Sequence, residues 1–297
     1  MNKGLFAIII ASLLWGTTGT AANYAPDINP LAIGAFAMGV GGLCLVLSAW
    51  SSLRNDFRVM LAHPKILIFG SMSVAVYPLA FYSSMRMSGV AIGTVVSIAS
   101  APFFAALLER LVSKKVIALH WMISFVIGAL GIGFMTAGKS VESLDLASSQ
   151  QHYVGVMLGL LAGLTYAGYS WAAKHMIEVQ VRSQSAMAAM FGLAALVLLP
   201  SLFFTGEQLF ASVTNASVAI YMAIIPMFFG YLLFGYGLRL VEASKATLIT
   251  LIEPLVATLL AILIVGEVFN MIGWVGMGLI ACCLILQTVN TKTVTVD

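Results

Sequence analysis

Charge is what this sequence has least of. Asp, Glu, Lys and Arg make up 8% of its 297 residues, whereas about a quarter of a soluble globular chain is charged. A water-facing surface cannot be built from so few ionic groups. With 61% of residues hydrophobic, the solvent for most of the surface is lipid. Cysteine is also scarce. Cys44, Cys282 and Cys283 all fall inside apolar runs, which excludes a disulfide framework and metal-ligand spacing and leaves them as small core residues. The net charge of +3 is too small to suggest a nucleic-acid partner. No HExxH, no GxSxG and no pair of intramembrane aspartates occurs. The sequence therefore offers no catalytic constellation, implies no enzyme and calls for no cofactor.

What is present is a series of ten apolar runs of about 20 residues, each enough to cross ~30 Å of hydrocarbon as a helix. The runs are continuous rather than alternating, which argues against a barrel. Spans are predicted near Gly4–Tyr24, Leu31–Ser52, Ile66–Met85, Gly89–Leu108 and Ala118–Ala137. A second set follows near Val154–Ala173, Ser185–Phe204, Ala216–Leu238, Ala243–Val265 and Met271–Gln287. The longest connection is the polar stretch Gly138–His152, and no segment between spans could house a soluble catalytic domain. Lys3 ahead of the first run imitates a signal peptide, but that run has a counterpart in the second half and is kept as a span.

Ten spans place both termini on one face. Of fourteen Lys and Arg residues, only Arg86 and Lys139 fall on the opposite face. The positive-inside rule makes the cation-rich face cytoplasmic. A multi-pass protein of the cytoplasmic (inner) membrane with both termini inside is expected.

The halves resemble each other. Pro102 interrupts the fourth span and Pro254 the ninth at nearly the same offset. Ala11-Ser12-Leu13-Leu14-Trp15-Gly16 in the first span is answered by Ala162-Gly163-Leu164-Thr165-Tyr166-Ala167 in the sixth. IGxxGxG begins at Ile127 in the fifth span and again at Ile272 in the tenth. Residues 1–150 and 151–297 are thus read as two five-helix repeats. An odd number of spans per repeat inverts the second relative to the first, an architecture recurrent in secondary transporters. Channels can be built the same way.

Several motifs carry competing readings. Residues 133–140, GFMTAGKS, satisfy the Walker A pattern, but the match lies at the end of a span facing outward, with no strand before it, so ATP is not expected as a partner. Gly155, Gly159 and Gly163 form a small-residue stripe, as do the glycines of spans five and ten, and close helix packing is the expected role. Glu109, Arg110 and Glu267 end their spans at the interface, solvated or as gate ion pairs; His120, Trp121 and Trp274 read as interfacial. Arg86, one of the two outer cations, could guide an anionic group. Glu253 is the most informative side chain. A carboxylate at that depth costs about 2.5–3.5 kcal/mol on insertion scales and should face the bundle interior or a wet cavity. Lys245, eight residues away, is too far to neutralise it. Glu253 reads either as a substrate-amine ligand or proton-coupling site, or as an acid bonded to the carbonyl that Pro254 frees. Aromatic residues recur at matching depths: Trp15 and Tyr166, Tyr77 with Phe81, Tyr231 with Phe234. Ser97 and Ser100 add hydroxyls.

Leu14-Trp15-Gly16-Thr17, Leu251-Ile252-Glu253-Pro254-Leu255 followed by Gly266-Glu267, and the IGxxGxG of the tenth span resemble the drug/metabolite transporter superfamily, in particular its ten-helix EamA-type members. The first repeat departs in having Ala101 before Pro102, which argues against coupling through paired carboxylates. The resemblance implies an all-α integral membrane protein with ten transmembrane helices, arranged as two inverted five-helix repeats around a central cavity. It implies a secondary transporter, most of all an exporter, of amino acids, related metabolites or drug-like compounds. The expected partners are a small-molecule substrate, the lipid bilayer and protons as the candidate coupling ion. Lining residues implied by it are Trp15, Tyr77, Phe81, Ser97, Tyr166, Tyr231 and Glu253. A nearly uncharged aromatic lining suggests neutral or zwitterionic amphipathic substrates. Uptake of a nutrient or amine, a passive channel and a non-transporting sensor are the rival readings.

Overall fold

A computed structural model describes residues 3–138, 149–266 and 270–289, and every regular element among them is helical. The first repeat comprises α1 Lys3–Gly16, α2 Thr18–Asn23, α3 Pro30–Ser48, α4 Trp50–Ala62, α5 Pro64–Ser88, α6 Val90–Leu111 and α7 Leu119–Ala137. The second comprises α8 Ser149–Glu178, α9 Ser183–Thr205, α10 Val213–Met222, α11 Gly230–Leu238, α12 Ala243–Ile249, α13 Ile252–Leu260 and α14 Met271–Val289. Seven-residue and five-residue π-helical segments, Ala223–Phe229 and Ala261–Val265, follow α10 and α13. Nine of the resulting spans are long and apolar enough to cross a membrane, and Met271–Gln287 adds a shorter tenth.

Local chemistry explains the interruptions. Thr17 and Thr18 turn their hydroxyls back onto the Leu14 and Trp15 carbonyls at 2.6 and 2.7 Å, a bond that competes with the helix ladder and bends it between α1 and α2. Pro254 has no N–H to give the Thr250 carbonyl. Glu253 N–H takes that carbonyl instead at 2.9 Å, and the ninth span breaks at Thr250–Leu251 into α12 and α13. Pro102 does not break α6. Residues 53–65 fall between two predicted spans, yet α4 is helical as far as Ala62. Its polar Arg54, Asn55 and Arg58 alternate with exposed Trp50, Phe57 and Leu61, and the Arg54 guanidinium lies 5.2 Å over the Trp50 ring. This is an interfacial amphipathic helix.

The packing is symmetric in the manner of an inverted repeat. Where α5 of the first half packs on α8, α11 of the second packs on α1. Where α6 packs on α8, α12 and α13 pack on α1; α5 against α9 is answered by the π segment 223–229 against α3. Three pairs are their own partners: α3 with α9, α6 with α12, and α7 with α14. Glycine permits the closest of these approaches. Gly155, Gly159 and Gly163 of α8 lie against Ser88, Ser84 and Ser100. Gly131 and Gly276 bring α7 onto α14, where a methyl on Gly276 would strike the Met135 backbone. Small residues allow such contact where no hydrophobic effect drives helices together. Gly133–Ala137 of the Walker-like string is the last stretch of α7 and Gly138 its C-cap; Lys139, Ser140 and Glu267 lie outside the described residues.

This packing separates the glycines by role. Gly276→Ala should lower stability by about 1–3 kcal/mol, the cost of overpacking a tight contact. Gly133→Ala and Gly278→Ala have no neighbour within 4 Å, so they should be neutral or slightly stabilising through helix propensity. Thermal unfolding of the three variants in detergent checks the contrast.

Candidate functional site

Six of the seven residues singled out from the sequence surround one cavity. Trp15, Tyr77, Phe81, Tyr166, Tyr231 and Glu253 line it, joined by Thr18, Gly34, Ala37, Met38, Pro78, Tyr82, Tyr169 and Met227. It holds about 50 Å³, room for a few waters and too little for an organic substrate. Ser97 is elsewhere. It is buried in α6, donates to the Gly93 carbonyl at 2.7 Å, and faces the glycine stripe of α8; Ser100 lies against the same stripe.

Each wall is built by a local device. Gly16 lets α1 approach the Glu253 carbonyl and Val256 of α13. The Trp15 indole lies over Gly230 and donates to the Pro226 carbonyl at 2.8 Å, inside the π segment where regular bonding is displaced. Its ring then meets Tyr231 at 4.8 Å and Phe234 at 5.3 Å; Phe234 is fully buried behind the lining. From α5 of the same repeat as Trp15, Tyr77 stacks on Phe81 at 5.7 Å and leans on Tyr166 at 5.5 Å. Tyr166 donates to Thr250 Oγ1 at 2.8 Å, and Thr250 donates to the Thr247 carbonyl at 2.8 Å. The hydroxyls of Tyr169 and Tyr231 share a 2.9 Å bond. Tyr169 is not among the residues singled out from the sequence, although its spacing of three from Tyr166 puts it on the same helical face. Tyr82 and Met227 carried no comparable signal.

Glu253 stands in the first turn of α13. Because its own N–H closes the Thr250 carbonyl, its side chain is not needed to stabilise the break. Among the described residues the carboxylate has no hydrogen-bond or salt-bridge partner. The lining contains no Lys, Arg or His among the described residues. The α13 N-terminus, with its positive end of the helix dipole, favours a negative charge there.

The cavity is offset toward one face. Thr18, Gly34 and Tyr82 lie near the ends of their spans away from Lys3, Ser48 and Pro64. On the opposite, cation-rich face the repeats are latched together. Lys115 bridges Glu178 and Glu242, each at 2.5 Å. Trp171 Nε1 donates to Ser113 Oγ at 2.9 Å across the repeats, and within the second repeat Lys174 Nζ donates to the Leu238 carbonyl at 3.0 Å. Glu109, only 5% exposed, accepts the Ser244 N–H at 3.0 Å and so caps α12 from the other repeat. Arg182 N–H donates to Asp56 at 3.1 Å. Burial disfavours the Lys115 ammonium, but the hydrogen bonds it donates to Glu178 and Glu242 outweigh it and hold its pKa above the usual lysine value. The pairs are 30–46% exposed, which limits each to under about 1 kcal/mol. Arg86, Arg110 and His120 are exposed; Trp121 is buried against Phe125.

The two carboxylates should respond oppositely to substitution. Glu253→Gln removes no bond to the protein and should leave thermal stability unchanged or raised. Glu109→Ala orphans a buried N–H and should cost about 1–3 kcal/mol. Equal losses in thermal unfolding would contradict the assignment.

The EamA-like transporter family matches twice, over residues 2–137 and 153–289. The chain is 31% identical over 280 residues to the uncharacterized transporter YwfM of Bacillus subtilis (strain 168), covering 94% of this chain and 91% of that one. It is 23% identical to the uncharacterized inner membrane transporter YicL of Salmonella typhimurium, over 98% and 97% of the two chains. A solved crystal structure superposes with a TM-score of 0.79 over 96% of both chains at 16% identity, a likeness of fold alone. Cavity, broken helix and doubled repeat thus coincide with both family matches, and the chain belongs to the EamA-like transporter family.

Proposed function

We propose that this protein is a secondary transporter that exports small organic molecules across the cytoplasmic membrane by alternating access. The observation that carries this reading is the cavity between the repeats, closed by polar cross-repeat contacts on one face and offset toward the other. An inverted repeat can exchange the conformations of its halves, so the latch opens as the opposite face closes. Its half-exposed ion pairs are weak enough to break and reform in each cycle. With the cation-rich face in the cytoplasm, the cavity of this conformation faces outward.

Trp15, Tyr77, Phe81, Tyr166, Tyr231 and Glu253 form the substrate site in this scheme, and Glu253 couples transport to protons. A proton arriving from outside neutralises the carboxylate and releases a substrate held by it. The neutral acid returns to the inner conformation at lower cost than a bare charge would. A passive channel fits less well, since the cavity is latched on one face.

Purified protein in proteoliposomes tests the reading. Saturable counterflow of labelled compounds from a panel of amines and amino acids is expected, absent from protein-free vesicles. Flux linear in concentration would indicate a channel, and no flux a sensor. Glu253→Gln should abolish acceleration by an imposed pH gradient; undiminished acceleration removes Glu253 from coupling.

A further inference from the structure

The cavity's chemistry is one-sided. Among the described residues its only charged group is Glu253, and no cationic side chain shares the lining. Most polar donors are already committed within the protein. Trp15 Nε1 is held by Pro226, Tyr166 by Thr250, and Tyr169 pairs with Tyr231. What these residues offer to a ligand is therefore the aromatic surface that borders the cavity. Centroid separations of 5.5 Å for Tyr77 with Tyr166, 5.3 Å for Tyr166 with Tyr169 and 4.8 Å for Trp15 with Tyr231 make a continuous aromatic wall. The negative faces of such rings attract cations, the more so when water is excluded.

A substrate carboxylate would meet the reverse. The hydroxyls of Tyr77 and Tyr82 could donate to it but not neutralise it. The α13 N-terminus, the natural anion site, already carries Glu253 in its first turn. Two carboxylates in one poorly solvated site repel strongly. A zwitterionic amino acid would thus satisfy its ammonium and leave its carboxylate unpaired.

Resting on the transport reading above, we propose that the site selects organic monocations, protonated amines or quaternary ammonium compounds with an aromatic or apolar body, and discriminates against amino-acid zwitterions. This departs from the expectation of neutral or zwitterionic cargo drawn from the sequence. The carboxylate supplies the counter-charge and the rings supply the wall. Because a proton and the cation compete for one carboxylate, outward discharge of cargo and proton entry become the same event.

Matched ligands test this on the intact protein. Phenethylamine and phenylalanine differ only in the carboxylate, and benzyltrimethylammonium carries a charge that cannot be lost as a proton. Isothermal titration of purified protein should show saturable binding of both cations, with phenylalanine weaker by at least about tenfold, the cost of one unpaired charge. Glu253→Gln, verified as folded by its thermal transition, should weaken benzyltrimethylammonium by at least about tenfold. The proposal is overturned if phenylalanine binds as tightly as phenethylamine, if neither cation binds, or if Glu253→Gln binds the cations unchanged. Proteoliposome flux separates the two readings. Cations that bind without being carried would defeat transport and leave the ligand class standing. Saturable phenylalanine flux unaffected by the cations would do the reverse.

Discussion

An ionisable side chain within the membrane needs a partner, a wet cavity or a proton, and the centre of this protein is organised around one that has no partner among the described residues. Glu253 sits where the ninth span breaks, in the first turn of α13, facing a cavity walled by tyrosines and a tryptophan. The break could have consumed it, since proline leaves a carbonyl open one turn earlier. Instead the Glu253 backbone N–H closes that carbonyl, and the carboxylate remains available. Gly16 and the Trp15–Pro226 bond hold α1 and the π segment against this point. The surrounding helices are placed by glycine contacts that involve no charge.

The two repeats are symmetric in packing and asymmetric in chemistry. Their helix pairs exchange under an inverted two-fold relation, yet α6 runs unbroken through Pro102 while its counterpart splits into α12 and α13. The first repeat contributes Ala101 where the second contributes Glu253. In the proposed exchange one carboxylate serves both conformations, and the swap of the halves moves its access rather than its position in sequence. The latch has the complementary design. Its strongest single element is a buried cap, Glu109 on the Ser244 N–H, surrounded by half-exposed lysine–glutamate pairs whose individual contributions are small.

Much of this was legible in the residues. Continuous apolar runs give helices because each backbone group must be satisfied within its own segment, and the cation sorting depended only on span count. Glu253 and the aromatic residues stood out because polar or large groups at mid-depth are costly to misplace. The errors have a common physical source: periodicity gives a face but not its neighbour. Ser97 was placed in the lining, yet its face of α6 meets the glycines of α8. The amphipathic α4 was missed because its apolar residues lie at the interface rather than across it. Lys115 read as a loop cation, since its partners Glu178 and Glu242 are 63 and 127 residues away, a relation fixed only by the tertiary fold.

The central claim is that the latch on the cation-rich face opens as part of a two-state exchange. Distance measurement by electron spin resonance tests it most directly, without knowledge of the cargo. Spin labels would be attached through Val116→Cys and Arg239→Cys in a chain whose Cys44, Cys282 and Cys283 are replaced by serine. The account predicts a short-distance population matching the closed latch and a longer one. Lys115→Ala should enlarge the longer population at the expense of the shorter. A single distance, unmoved by loss of Lys115 and by pH, would contradict it.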